Sequence, residues 1–145
     1  MAVGMMRLPA LPVFALLAAA PLGAQEVALR CLSDFAPGLY VARVGREAGP
    51  GRCLANAAEL AMAGRTGGPG CRVTMVRDLP EAGTITWSCP DGRSGRSDIR
   101  RDAAGIYTVS AQGIEDGLPW ASRAEWRRIG PCPGALLGRP AGAPG

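Results

Sequence analysis

The residues of this chain best equipped for chemistry gather in one stretch, TWSCPDGRSGRSDIRR, from Thr86 to Arg101. A tryptophan and a cysteine end a strand-like run, a Pro-Asp-Gly turn follows, and four arginines come after it. A reactive thiol in a basic site would have this composition. The rest of the chain supplies no partner for it, because there is no His anywhere in the 145 residues. Neither a Ser-His-Asp nor a Cys-His site can be built, and the commonest neutral-pH base and metal ligand is missing.

The other cysteines point to structure. Cys31, Cys53, Cys71, Cys89 and Cys132 include no C-x-x-C pair, so a zinc site and a thioredoxin-like redox pair lack support. Four of them, Cys53, Cys71, Cys89 and Cys132, are expected to form disulfides, leaving Cys31 free for the surface or for an intermolecular bridge. Locality pairs Cys53 with Cys71 across a short helix. Matching context pairs Cys89 with Cys132, since each closes a strand and each precedes Pro.

Asp91, Asp98, Asp102, Glu115 and Asp116 are the carboxylates from which an acid/base pair could be drawn. A glycosidase needs two of them at a set separation in a cleft, and Asp91 in Pro-Asp-Gly reads better as a turn residue. Arg93, Arg96, Arg100, Arg101, Arg123, Arg127 and Arg128 could meet phosphates or anionic lipids, but they read first as a solvated sheet face. All 16 basic residues are Arg, as base-composition bias would produce. Without aromatic interleaving the arginines do not point to nucleic acid.

The elements that must hold these residues are mostly strands. Pro37 to Arg46 alternates as a strand, and EAGPG after it reads as a turn. Asn56 with Glu59 three residues on starts a helix of about two turns, with Leu60 and Ala63 toward the core and Gly64 at its stop. Cys71 to Leu79 is rich in β-branched residues. Gly83 to Cys89 puts Ile85, Trp87 and Cys89 on one face and hydroxyls on the other, and Gly105 to Gly113 turns Tyr107, Val109 and Ala111 inward. GRSGRSDIRRD between them reads as an edge strand or a loop. LPWASRAEWRRIGPCP reads as a strand with Trp120, Ala124 and Trp126 opposite Arg123, Glu125 and Arg127.

The first 24 residues have the layout of a cleavable secretory signal: Arg7 early, an apolar run from Leu8 to Ala20, and small residues up to Ala24. Residues 25–36 form a leader, 37–133 one β-rich domain, and the Pro/Gly-rich 134–145 a disordered tail.

PGLY from Pro37, RCL at Cys53, GC at Cys71, ITWSCPDG around Cys89 and RRIGPCP ending at Cys132 form an ordered series. In this the chain resembles the uncharacterised bacterial exported family known as domain of unknown function 3617. Tyr40 and Val41 stand where that family usually carries Trp and an acidic residue. The resemblance spans Pro37 to Pro133 and implies a small exported, mostly β domain with structural cysteines. It implies no reaction, no cofactor and no catalytic residue, and it has no counterpart for Cys31.

The expected molecule is a monomeric periplasmic or secreted domain, not membrane-spanning once the signal is removed. It is a mainly β, disulfide-stapled protein: a curled antiparallel sheet of five or six strands with one short helix. Its expected role is non-enzymatic binding of a small apolar ligand or an envelope component, with no cofactor and no nucleic acid. A structural or envelope-stress protein without a small ligand is the competing reading, and a carboxylate hydrolase the third.

Overall fold

The computed structural model describes residues 27–65 and 70–134. The expected signal at 1–24 and the tail beyond Gly134 lie outside the described residues. Seven strands form one open antiparallel sheet: β1 (Gly38–Val44), β2 (Glu47–Leu54), β3 (Arg72–Asp78), β4 (Ala82–Ser88), β5 (Ser94–Ala103), β6 (Ile106–Glu115) and β7 (Leu118–Gly130). Their order across the sheet is β2-β1-β7-β6-β5-β4-β3, so the edges are β2 and β3. A hairpin of β1 and β2 opens the sheet. Helix α1 (Ala57–Ala61) follows in the connection from β2 at one edge to β3 at the other, and a five-strand meander returns until β7 pairs with β1.

The sheet has seven strands rather than five or six, and two local readings are corrected, each with a physical cause. EAGPG is not a turn but the first part of β2. Pro is tolerated there because an edge strand leaves one row of its N–H groups unpaired in any case, while the reversal falls at Gly45, whose φ is +60°. GRSGRSDIRRD is neither loop nor edge: β5 sits between β4 and β6. Only alternate residues of a strand face the core, and here those are Ser97 and Ile99, both buried, while Arg96, Asp98, Arg100 and Asp102 face solvent.

The remaining strands follow their alternation. Ile85 and Trp87 of β4, Tyr107, Val109 and Ala111 of β6, and Ala124 and Trp126 of β7 are buried together on the inner face. α1 is a single turn and a half rather than two. Asn56 caps it as expected, its Oδ1 accepting from the Glu59 N–H at 3.0 Å, and the Glu59 carboxylate accepts from the Ala55 N–H at 2.9 Å. Leu60 faces the core, with Ala61 and Met62 joining it, and Ala63 is only half-buried.

The segment read as a leader belongs to the domain. Val27, Leu29, Cys31 and Leu32 are buried in the same core, around a short 3-10 turn at Arg30–Leu32. Side chains of the sheet hold it down. The Tyr107 hydroxyl donates to Asp34 at 2.9 Å, Arg101 pairs with Asp34 at 3.2 Å, and the Arg30 N–H donates to Asp78 at 2.7 Å.

Candidate functional site

The disulfides join Cys71 to Cys89 and Cys53 to Cys132, so the expected pairs Cys53–Cys71 and Cys89–Cys132 are both overturned. Topology is the reason. Cys53 lies in β2 and Cys71 precedes β3, at opposite edges of the sheet, and β4 is separated from β7 by two strands. Cys71 and Cys89 instead sit one step beyond the Arg72–Ser88 cross-strand pair, with Cα atoms 4.0 Å apart. Cys53 and Gly130 flank the same residue of β1, Leu39, and Cys132 bridges over that strand to Cys53. Cys31 is free but fully buried, not at the surface. Burial raises its pKa, with the Asp78 charge adding to the effect. Its thiol is thus held protonated rather than poised as a nucleophile.

The candidate carboxylates do not converge. Asp91 is the turn residue expected of it, accepting from the Arg93 backbone N–H at 3.1 Å and side chain at 2.7 Å. Asp98 and Asp102 share the outer face of β5 with arginines two residues away, Arg96 and Arg100. The Thr84 hydroxyl donates to Asp98 and holds its pKa down, helped by Arg96. Burial works against the Asp102 carboxylate, yet the Thr108 hydroxyl and Arg100 bring its pKa below the ordinary value. Glu115 pairs with Arg65, and Asp116 forms the tight β6–β7 turn at a φ of +53°. Among the described residues no group of three or more Cys, Asp or Glu could hold a metal ion.

The arginines divide by strand parity. Arg96, Arg100, Arg123 and Arg127 face solvent, the last paired with Glu125 at 3.3 Å. Arg101 turns inward to Asp34, and Arg128 donates to the Pro37 carbonyl at 3.1 and 3.2 Å. These two fasten the N-terminal segment rather than facing solvent.

Two features of the inner side are candidates for binding. One is a groove between the N-terminal segment and the start of α1, about 740 Å³, walled by Val27, Leu29, Leu32, Phe35, Ala57 and Ala58. Its polar groups, Arg30, Ser33 and Asn56, are few. Phe35 is fixed by stacking on Tyr40, with ring centroids 5.5 Å apart and planes within 7°.

The other lies past the far end of α1. Trp87, Gly95, Gly113 and Trp120 form one row across β4, β5, β6 and β7. The glycines leave space over which the indoles reach toward each other, and their centroids meet at 6.2 Å. A Cβ on Gly95 would come within 2.7 Å of the Trp87 ring. Arg65 lies over Trp120, 3.8 Å from the ring centroid, and pairs with Glu115. On the outer face above the same row is a shallow depression of about 790 Å³ bordered by Thr86, Gln112, Ile114 and Pro119.

Neither the groove nor the role of Arg65 was expected from the sequence. The one available signal was an isolated Gly inside each of two strands, which marks a close approach of other groups to the backbone. No helix among the described residues is long and apolar enough to cross a membrane. Compared with known proteins, the chain matches no family model, no curated protein and no solved structure.

Proposed function

We propose that this is an exported, non-enzymatic binding domain whose ligand is a small apolar molecule of the cell envelope. The observation that carries the reading is the groove of about 740 Å³ between the N-terminal segment and α1. Its size and its apolar lining with few polar groups are those of a small-molecule site. Two disulfides in so small a chain fit an oxidising compartment, and the signal-like first 24 residues and the resemblance to domain of unknown function 3617 support the same reading. The domain works as a monomer, without cofactor or nucleic acid.

Native mass spectrometry of protein recovered from the periplasm tests this directly. A co-purified apolar mass is the expected result, together with saturable binding of an uncharged naphthylamine dye that Ala57→Trp, which fills the groove, abolishes without lowering Tm. A clean apo mass with no dye binding would instead favour the structural or envelope-stress role.

A further inference from the structure

The corner at the far end of α1 collects hydrogen-bond donors and positive charge. Beyond the helix, Ala63 and Gly64 take left-handed backbone angles, φ +55° and +74°, and so carry Arg65 onto Trp120. Gly64 is packed against Trp126 and Arg52, and a Cβ there would stand 3.0 Å from an Arg52 guanidinium nitrogen. Two guanidiniums are therefore brought together by adjacent residues. Arg93, paired with Asp91 at 2.7 Å, is close enough to repel Arg65 as well.

Three guanidiniums thus face two carboxylates, Glu115 on Arg65 and Asp91 on Arg93. Arg52 has no carboxylate within ion-pair distance among the described residues. The neighbouring indoles add only donors: the Nε1–H groups of Trp87 and Trp120 are buried and meet no acceptor among the described residues. With one more guanidinium than carboxylate and two unpartnered indole donors, the cluster favours an anion over a cation, and guanidinium is the side chain suited to planar, two-pronged contact with carboxylate or phosphate.

We propose that Arg52 and Arg65, beside the Trp87–Trp120 pair, form a binding site for a small oxyanion, a carboxylate or a phosphate group. The site is separate from the apolar groove, which opens at the Asn56 end of the helix. Arg65 and Glu115 are about one-third exposed at their side chains, which gives a small group access. Arg65 already covers the face of Trp120, so the ligand meets the guanidiniums at their edges and no large ring stacks there. Burial, and repulsion by Arg52 and Arg93, lower the Arg65 pKa, a tension that a bound anion relieves.

The test follows tryptophan emission of the mature protein while inorganic phosphate or acetate replaces chloride at constant ionic strength. The expected result is a saturable change with at least one of the two, which also tells a phosphate from a carboxylate ligand. Arg52→Gln and Arg65→Gln should each weaken it about tenfold, while Arg100→Gln on the outer face leaves it unchanged. If Arg65→Gln does not fold, Arg52→Gln carries the test, since Arg52 is in no ion pair of the described fold. No saturable response to either anion, or equal binding by wild type and Arg52→Gln, overturns the proposal.

Discussion

Burial makes an acidic hydrogen harder to remove, and Cys31, Tyr40 and Tyr107 all have pKa values raised by it, Tyr107 further by its hydrogen bond to Asp34. In the unfolded chain these groups ionise near their ordinary values of 9.0 for the thiol and 10.0 for the phenols. The folded protein holds these protons to higher pH, so their contribution is complete below pH 9 and is lost as pH climbs above it. Denaturant titrations between neutral pH and pH 11 should show stability falling above 9, and Tyr107→Phe should flatten that fall. The arginines give a second contrast. Arg96→Gln and Arg100→Gln break only exposed same-strand pairs and should change stability by less than about 0.5 kcal/mol. Arg101→Gln removes the partner of Asp34, which also anchors Tyr107, and should cost about 1 kcal/mol. The sequence could not separate these neighbours. Arg100 and Arg101 have the same chemistry, and only the parity of β5 sends one to water and the other to the N-terminal segment.

Strands that alternate cleanly, β4, β6 and β7, were legible, because one apolar face leaves a period of two that chemistry alone displays. β5 was not, since Gly95 and Ser97 are inner-face residues with no apolar signature, and β2 was hidden by Gly49 and Pro50. The Cys71–Cys89 bridge was within reach. Folding the two strand-like runs about Pro80 as a hairpin places those cysteines opposite each other, whereas locality alone chose Cys53. The glycine row makes its own prediction. Gly95→Ala would push a methyl into the Trp87 ring, and Gly113→Ala into the backbone carbonyl of Ser94. Each should cost about 1–3 kcal/mol, with Gly113 the larger because a backbone carbonyl cannot turn aside as a side chain can. Gly49→Ala, whose nearest obstacle is 3.4 Å away, is the control, and urea midpoints at unchanged m-value decide the comparison.

At the scale of the molecule, each disulfide secures one free edge of the sheet, Cys53–Cys132 at β2 and Cys71–Cys89 at β3. Sequence separations of 79 and 18 residues give chain-entropy contributions of about 4.5 and about 3 kcal/mol. Cys132→Ser with Cys53→Ser should therefore lower stability more than Cys71→Ser with Cys89→Ser, read from thermal unfolding of the two double variants. Neither the groove nor the arginine corner was legible, because both depend on the β2–β3 connection carrying α1 against β2 and β5, and no periodicity in the chain reports where a connection runs. The pairing of β1 with β7 bears on how the molecule is made. A chain released N-terminus first presents β1 and β2 as a finished hairpin, but the neighbour β1 requires ends at Gly130. Until the last strand has followed, Tyr40 has no Trp126 side of the sheet to close against, so assembly waits on completion of the chain, and pairing across such a separation is slow. Growing chains cut before Leu118 should stay protease-sensitive along their whole length, and protection should arrive in a single step once β7 is free.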